Sequence, residues 1–341
     1  MECFWCSTWA WHVLGSNSAP DKKQAAVSGT ILDISSPLSM KNHISEPNIY
    51  IRLRRLFVRS EPMRGYTMLS PTFIAMVLGL AMPLVVLFTL SFWLQEYLDF
   101  IRTFSFANYF EFFHKPIYRK LLLKSIRISG IVTIATVLLA YPMAYFIAFR
   151  IKKNKLVWLI LITVPFWTSY LLRVFAWKIM LGYNGVINSG LISLGFISEP
   201  LAFLLYNPTS VVITLAHAWA AFAILPIYVS LEKIDRSLLE AARDLGESAW
   251  MTFLRVTLPL SLPGVIAASL LVFIPTVGDY VTPSLVGGPR GIMIGNVIQS
   301  MFGESQNWPM GAAISVMSMF TVAVIISLFL WGTHSSRKRI A

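Results

Sequence analysis

The sequence predicts an all-α, polytopic membrane protein, and three observations carry that prediction. Hydrophobic residues make up 56% of the 341-residue chain and charged residues only 13%, and the mean hydropathy is +0.66. An ordinary soluble domain has about 25% charged residues. The charges here are bunched between long stretches that carry none, as they are in proteins with several membrane spans. These stretches are continuously apolar, whereas the strands of a β-barrel would alternate in polarity.

Each of the charge-free stretches is interpreted as one span. A helix needs roughly 20 apolar residues to cross the hydrocarbon core of a bilayer. We therefore predict six transmembrane helices, near residues 69–93, 126–149, 156–180, 209–231, 262–284 and 311–332. The third reaches full length only if it continues through Arg173. We expect Arg173 to snorkel to the outer headgroups or to pair with Glu199, Asp279 or Glu304.

The net charge of +12 is explained by membrane topology and does not indicate nucleic-acid binding. If both termini are cytoplasmic, most basic residues fall in cytoplasmic segments, as the positive-inside rule requires. The first outer loop is the exception, because Arg102 to Arg127 contains several basic residues. They alternate with aromatic residues, so we interpret this loop as an amphipathic segment lying on the outer membrane surface.

Residues 1–63 form a polar N-terminal extension, and residues 64–341 form the membrane domain. The extension has no sustained periodicity, so we expect disorder there. Met63 is an alternative start of the protein. Cys3 and Cys6 have the spacing of a metal or redox pair, but two further ligands are missing, so we predict no metal site.

The loop near 232–260 is predicted to contain a short, exposed cytoplasmic helix. Asp235 or Ser237 is suited to cap its start, and Gly246 suits the left-handed conformation that ends it. Ala241 and Ala242 leave one face flat enough for close packing with a partner. The alternative is an amphipathic connector that rests on lipid headgroups.

This loop resembles the EAA loop of the membrane subunits of binding-protein-dependent ABC importers. The match consists of Glu240-Ala241-Ala242, three residues, Gly246, nine residues, Val256, one residue, and Leu258-Pro259. The resemblance implies a type I ABC importer permease fold in the bacterial inner membrane. It also implies that Glu240, Ala241, Ala242, Gly246, Leu258 and Pro259 couple the chain to an ATPase subunit. The further partners it implies are a second ATPase copy, a second homologous permease and a periplasmic solute-binding protein.

Further segments are similar to one branch of that family, the spermidine/putrescine permeases. They are Arg64-Gly-Tyr with Leu69-Ser-Pro, Pro165-Phe-Trp-Thr-Ser with Arg173, Asn184-Gly-Val-Ile-Asn188, Leu225-Pro-Ile-Tyr with Leu231-Glu-Lys-Ile-Asp235, Pro275-Thr-Val-Gly-Asp-Tyr-Val-Thr-Pro283, and Ile294-Gly-Asn-Val-Ile-Gln299 with Asn307-Trp-Pro. The resemblance covers roughly Arg64 to Arg337. It implies a small cationic substrate.

Energy must come from outside the chain. No Gly-Lys dipeptide occurs, so a Walker A phosphate loop is excluded. No catalytic, cofactor-binding or metal-ligating constellation occurs either, so we predict a transport subunit and not an enzyme. The family resemblance implies that ATP closes the partner ATPases and rocks the spans from inward-facing to outward-facing.

Asp279 is the only acid inside a predicted span and is therefore a functional candidate. Carboxylates and aromatic faces bind ammonium groups, so we assign Asp279, Tyr280, Trp219 and Phe222 to the substrate path. The alternative is that Asp279 only caps a helix at the end of the fifth span. Most other span aromatics, such as Trp167, Tyr170 and Trp177, are expected to pack or to lie at the interface, and His217 is expected to pack between helices.

The sequence thus predicts the permease subunit of an ABC importer that moves spermidine or putrescine inward. One alternative is an ABC permease for another small solute, such as an opine or an amino-acid derivative. A second is a proton-coupled secondary transporter, which would use one buried acid and would not need the EAA loop.

Overall fold

A computed structural model describes residues 61–97, 99–204 and 206–340. The predictions for the N-terminal extension, including those for Cys3 and Cys6, lie outside these residues. The chain divides into two units, Met1–Ser70 and Pro71–Ala341. The described part of the first unit is the N-terminal end of helix α1 (Glu61–Leu90), and all other described elements belong to the second unit.

The described residues are mostly helical, as predicted. The helices are α1 Glu61–Leu90, α2 Ala107–His114, α3 Pro116–Tyr145, α4 Lys155–Thr163, α5 Tyr170–Leu181, α6 Val186–Ser193, α7 Pro208–Ala218, α8 Ala220–Glu232, α9 Arg236–Asp244, α10 Ala249–Thr252, α11 Leu258–Val277, α12 Gly288–Gly291, α13 Ile294–Phe302 and α14 Trp308–Ile340. Short 3₁₀ or π-helical segments are Phe146–Arg150, Val164–Trp167, Ala202–Leu204, Phe253–Thr257 and Pro283–Gly287.

Four to six of these helical segments are suited to cross a membrane. Among the described residues, four continuous segments are long and apolar enough: Met68–Leu90, Pro116–Arg150, Ala249–Val277 and Trp308–Thr333. Two further spans arise if each bent helix pair counts as one. The pair Lys155–Trp167 and Tyr170–Ser193 bends by 84°, and the pair Pro208–Ala218 and Ala220–Glu232 bends by 48°. Six crossings, with the boundaries given above, stay a prediction.

Several helix boundaries differ from the predicted spans, and two of these differences have a local cause. Helix α3 begins at Pro116, ten positions before the predicted start, because proline is favourable in the first turn of a helix. Its basic residues Lys120 and Arg127 are therefore on a regular helix, with exposed side chains. Helix α11 ends at Val277, before the predicted end near 284, because Gly278 and Asp279 leave the helical conformation.

The segment between α1 and α2 contains a small β-hairpin, so the described residues are not entirely α-helical. Strands β1 Leu94–Glu96 and β2 Asp99–Ile101 pair in antiparallel fashion. Gln95 ties the hairpin to the start of α14, because its amide donates to the carbonyl of Gln306 at 2.6 Å and accepts from the Trp308 N–H at 3.2 Å. These contacts join residues that are distant in the sequence, so no local pattern predicts them.

The core is formed where α3, α8 and α11 pack together. Val132, Ile227 and Val272, one from each helix, are completely buried. The helices approach closely at Gly264, where an added Cβ would lie 2.5 Å from the carbonyl oxygen of Pro226. A hydrogen bond of 2.8 Å between the hydroxyls of Tyr141 and Ser261 joins α3 to α11. This core is the frame that holds the broken helices.

Candidate functional site

The loop after α8 forms the short helix that the sequence predicts. Asp235 is the N-cap of α9, because its Oδ1 accepts a hydrogen bond from the Ser237 N–H at 3.0 Å. The same hydrogen bond lowers the pKa of Asp235 below its usual range. Gly246 ends the helix with a φ of +85°. The predicted cap and the predicted left-handed terminus are both confirmed.

The side chains of α9 differ in exposure, and this corrects one expectation. Glu240 and Ala241 are exposed, whereas Ala242 is buried against its own chain. The expectation that both alanines form one open face is therefore wrong. The exposed apolar side chains on and near the helix include Leu238, Leu245 and Trp250, which are 48%, 86% and 66% exposed. Sequence reasoning did not single them out, because an apolar residue in an amphipathic loop ordinarily faces its own protein.

Leu258 and Pro259, the last two positions of the EAA pattern, lie at the start of α11 and are partly buried. They join the loop to the core helix instead of extending its exposed surface.

Ring contacts and ion pairs tie the loop to the spans. The Phe253 ring stacks on Trp250 and makes edge contacts with Tyr141 and Tyr145 of α3, at centroid distances of 5.6 and 6.2 Å. Lys155 Nζ lies 2.6 Å from a carboxylate oxygen of Glu232, at the end of α8 and shortly before Asp235. Phe253 therefore joins the segment after α9 to α3, and the Lys155–Glu232 ion pair joins α4 to the end of α8.

The second part of the candidate site lies where three helices are interrupted. Asp279 follows the end of α11, and its Oδ1 accepts a hydrogen bond from the Val281 N–H at 3.0 Å. Its Oδ2 accepts from the Tyr170 hydroxyl, on the first residue of α5, at 2.7 Å. The capping contact predicted as an alternative is thus present. The contact with Tyr170 also joins the carboxylate to the hydroxyl of an aromatic residue from another broken span.

A chain of aromatic ring contacts starts at Tyr170, next to this carboxylate, and it includes two of the predicted site residues. The centroid of Tyr170 lies 6.4 Å from that of Trp219, which stands at the break between α7 and α8. Trp219 lies 5.3 Å from Phe222, and Phe222 lies 6.3 Å from Phe166. The structure therefore brings Asp279, Trp219 and Phe222 into one cluster, linked by Tyr170 and Phe166. Neither of these two linking residues was assigned to the path from the sequence.

Tyr280 does not join this cluster through any ring contact among the described residues, although it is adjacent to Asp279. Its side chain is 47% exposed. Its carbonyl accepts a hydrogen bond of 2.9 Å from the amide of Asn296, which also donates to Ser284. Helix α13 packs so closely here that a Cβ on Gly295 would lie 2.5 Å from the carbonyl oxygen of Gly278. Asn296 and Gly295 therefore hold the interrupted end of α11 in place.

Arg173 is placed differently from what the sequence indicated. It makes no ion pair with Glu199, Asp279 or Glu304, nor with any other acid in the described residues. Its guanidinium carbon lies 4.8 Å from the centroid of Phe166 and 5.9 Å from that of Tyr170. Its Nη1 donates to the carbonyl oxygen of Ala218, the last residue of α7, at 3.1 Å. The expected ion pair is wrong, because the rings and this carbonyl hold the cation.

His217 makes a contact between helices, as predicted. Its Nδ1 accepts a hydrogen bond of 3.0 Å from Trp177 Nε1, which joins α5 to α7 next to the break. The Trp219 indole N–H is buried and has no hydrogen-bond partner in the described residues. The cluster as a whole offers one carboxylate, several aromatic faces and an unpaired polar atom at three helix breaks. Interrupted helices of this kind form the binding sites of many transporters.

Comparison with known proteins identifies the fold and the family. Residues 123–340 match the family model described as binding-protein-dependent transport system inner membrane component. The spermidine/putrescine transport system permease protein PotB of Escherichia coli is 38% identical over 266 residues, which are 78% of this chain and 96% of that protein. The PotB protein of Haemophilus influenzae is 39% identical over 225 residues, 66% of this chain and 78% of that protein.

A more distant relative and one solved structure extend this comparison. The molybdenum transport system permease protein ModB of Haemophilus influenzae is 29% identical over 231 residues, 60% of this chain and 89% of that protein. A chain from the crystal structure of a bacterial ABC transporter that imports alginate superposes with a TM-score of 0.63 at 18% identity. That match covers 84% of this chain and 99% of the other, and it shows a shared fold.

Proposed function

The chain belongs to the family of binding-protein-dependent transport system inner membrane components, and from this premise we propose that it imports spermidine or putrescine as an ABC permease subunit. One observation carries the proposed cargo. The carboxylate of Asp279 accepts a hydrogen bond from the hydroxyl of Tyr170, whose ring contacts Trp219, where three helices are interrupted. Ammonium groups bind to carboxylates by charge and to aromatic faces by cation–π attraction. The identity to the two PotB proteins supports the same cargo.

We assign energy coupling to α9 and the exposed side chains around it. Glu240 and Ala241 project from a capped helix, and Leu245 and Trp250 add apolar area that a partner would bury. This surface suits a groove on a separate ATPase subunit. Gly246 sets the exit of the chain from α9, and the contacts of Phe253 and Glu232 pass the movement on to the spans. Leu258 and Pro259 serve as the joint with α11.

The proposed assembly contains two copies of the ATPase, a second homologous permease and a periplasmic binding protein. The family description itself requires a binding protein. A second permease is proposed because Phe222 and Tyr280 are 44% and 47% exposed, so this chain encloses its half of the site only partly. We place both termini in the cytoplasm, because that orientation puts α9 on the side where ATP is available.

The cargo is tested by the uptake of labelled spermidine and putrescine into cells that lack this gene and all other polyamine transporters. We expect the wild-type gene to restore uptake and the Glu240→Ala variant to fail. Glu304→Ala, which removes an exposed acid far along the chain from the coupling loop, is the matched control and should restore uptake. If the wild-type gene does not raise polyamine uptake above that of the deletion strain, the proposed cargo is wrong. Another solute, such as an amino-acid derivative, would then be favoured.

We do not propose a proton-coupled secondary transporter, which was the second alternative from the sequence. The chain belongs to a family defined by a binding protein, and α9 is formed and exposed as coupling to a partner requires.

A further inference from the structure

One face of α3 is basic near the N-terminal end of the helix. Three positive side chains follow one another at steps of four and three residues, which places them on the same face: Lys120, Lys124 and Arg127. Lys120 and Arg127 are exposed, and Lys124 is partly buried. None of the three forms an ion pair within the described residues. We call this row of unpaired cations the basic stripe.

The same face becomes apolar directly beyond Arg127. Ile131, Ile134 and Leu138 continue the row at the same steps, and all three are exposed on this chain. They belong to a helical segment that is long and apolar enough to cross a membrane. The face therefore changes from basic to apolar along one line. Lipids have the same order of chemistry, because a charged headgroup is followed by acyl chains.

The level of the basic stripe along α3 agrees with the level of the headgroups. The charge-free part of the segment, residues 128–149, is about 33 Å long at 1.5 Å per residue. This length fills the hydrocarbon core of a bilayer, which is about 30 Å thick. Arg127 then lies at the border of the core, and Lys120 lies about 10 Å further along the helix. Long basic side chains at such a level reach the headgroups while their stems remain in apolar surroundings.

Helix α2 adds an apolar surface at the same end of the span. The ring of Phe112 stacks on Tyr118 of α3 at a centroid distance of 6.1 Å, so α2 is packed against the start of α3. Three other phenyl rings of this region recur at helical steps and are exposed: Phe106, Phe110 and Phe113. Exposed aromatic rings beside basic side chains are typical of segments that lie in the membrane interface.

We propose that the basic stripe binds the phosphate of an anionic phospholipid whose acyl chains lie along the apolar continuation of the same face. A phosphate diester supplies the negative charge that the three cations lack within this chain, and lysine and arginine are its usual partners. A water-soluble acidic partner would meet the cations but would not reach Ile131 or Ile134 in the core. The orientation proposed above places this lipid in the outer leaflet. The inference does not depend on the proposed cargo.

The test measures lipid preference beside the stripe in the assembled transporter, reconstituted in nanodiscs with Cys3 and Cys6 replaced by serine. A bimane fluorophore is attached to Ile131→Cys, one turn beyond Arg127. Its quenching by spin-labelled phosphatidylglycerol is compared with that by spin-labelled phosphatidylcholine. Both lipids carry the label on the upper acyl chain, so the comparison isolates the headgroup. We expect phosphatidylglycerol to quench at a mole fraction at least about tenfold lower.

A second fluorophore position is the matched control for unspecific lipid contact. Leu80 is exposed on α1, in a span that contains no basic residue. A bimane on Leu80→Cys should therefore be quenched equally by the anionic and the zwitterionic lipid. Higher salt should weaken the preference at Ile131→Cys and leave Leu80→Cys unchanged, because salt screens exposed charges.

Removal of the charges should abolish the preference. In the triple variant Lys120→Gln, Lys124→Gln and Arg127→Gln, we expect both lipids to quench the bimane on Ile131→Cys equally. The triple variant Lys120→Arg, Lys124→Arg and Arg127→Lys keeps every charge and is the control, which should keep the preference. If the glutamine variant does not assemble, Lys124→Gln alone should lower the preference about fivefold.

Three results would overturn the proposal. The first is equal quenching by the two lipids in the wild type. The second is a preference that persists in the triple glutamine variant or in Lys124→Gln. The third is equal quenching in the wild type together with loss of binding-protein association in the glutamine variant, which would assign the stripe to an acidic protein surface.

Discussion

At the scale of single residues, Asp279 combines a structural and an electrostatic task. Its Oδ1 caps the backbone at Val281, and its Oδ2 accepts from Tyr170 across two broken spans. The first task needs only an acceptor oxygen, whereas the second provides a negative charge beside aromatic rings. An amide at this position would keep the acceptor and lose the charge. The two tasks are therefore separable by one substitution.

Asp279→Asn should raise the KM for spermidine by about tenfold, which corresponds to about 1.4 kcal/mol of lost binding. Uptake by the reconstituted transporter at several spermidine concentrations measures this change. Assembly and ATP hydrolysis should persist, because the amide oxygen still caps Val281. Glu304→Gln, an exposed acid on the segment before α14, is the control and should leave KM unchanged. If Asp279→Asn leaves the KM unchanged, Asp279 serves only as a helix cap.

Asp279 could be found from the sequence because it is the only acid within a predicted span. The roles of Tyr170 and Arg173 could not be found in this way. Tyr170 and Asp279 are 109 positions apart, and they meet only because α5 starts at a bend and α11 ends at Gly278. Arg173 was expected to snorkel to the headgroups or to pair with an acid, but its partners among the described residues are rings and a carbonyl. The sequence does not show which backbone carbonyl can accept a hydrogen bond from a side chain at a helix break.

At the scale of elements, the loop around α9 could be predicted because its signals are local. Asp235 caps the start, Gly246 supplies the positive φ at the end, and the EAA pattern lies between them. The breaks in the spans are harder to predict from the sequence. Pro165 lies in the turn at the first break, but no glycine or proline stands at Trp219, where α7 ends and α8 begins. There the tertiary contacts of Arg173 and Trp177 stabilise the bend.

Gly246→Leu should uncouple transport while leaving the subunit in the membrane. A side chain in the left-handed conformation costs about 1–2 kcal/mol, so the chain after α9 takes a different course. Gly195→Leu is the matched control, because Gly195 also has a positive φ, of +73°, and open space around it. ATP-dependent spermidine uptake, normalised to the amount of assembled subunit, should be lost only in Gly246→Leu. Equal loss in both variants would contradict the role of this turn in coupling.

Gly264→Ala should destabilise the packing of α8 on α11. The added methyl group would lie 2.5 Å from the Pro226 carbonyl, and overpacking of this kind costs about 1–3 kcal/mol. The melting temperature of the purified protein should fall. Gly130→Ala, on α3 with nothing within 4 Å of the new methyl group, is the control and should melt at or above the wild-type temperature. A stable Gly264→Ala protein would show that these helices are packed more loosely than described.

At the scale of the whole molecule, the described helices pack around one core and carry the two surfaces to which we assign function. α3, α8 and α11 form the core, the EAA loop contacts α3 through Phe253 and α4 through Glu232, and the carboxylate–aromatic cluster is formed where spans are interrupted. The sequence predicted the membrane class, the helical fold and the loop, because composition and local patterns determine them. The hairpin and the linking positions of Tyr170 and Phe166 depend on contacts between distant residues, such as Gln95 with Gln306, and could not be predicted.

The orientation of the chain gives a whole-molecule prediction. Single cysteines are placed at Leu245 and at Tyr97, after Cys3 and Cys6 are replaced, and are labelled in intact cells with a membrane-impermeant thiol reagent. Both positions are strongly exposed, so access depends only on the side of the membrane. We expect labelling at Tyr97 from outside and at Leu245 only after the cells are opened. Labelling of Leu245 in intact cells would place α9 outside and exclude contact with a cytoplasmic ATPase.

The central claim is that ATP hydrolysis in a partner, transmitted through α9, drives the import of a polyamine by this chain. The most direct measurement is labelled spermidine uptake into liposomes that contain the assembled transporter, with ATP or a nonhydrolysable analogue inside. The account predicts uptake with ATP only, and loss of that uptake in Glu240→Ala while the partners remain bound. Uptake that proceeds without hydrolysis, or full uptake in Glu240→Ala, would contradict it.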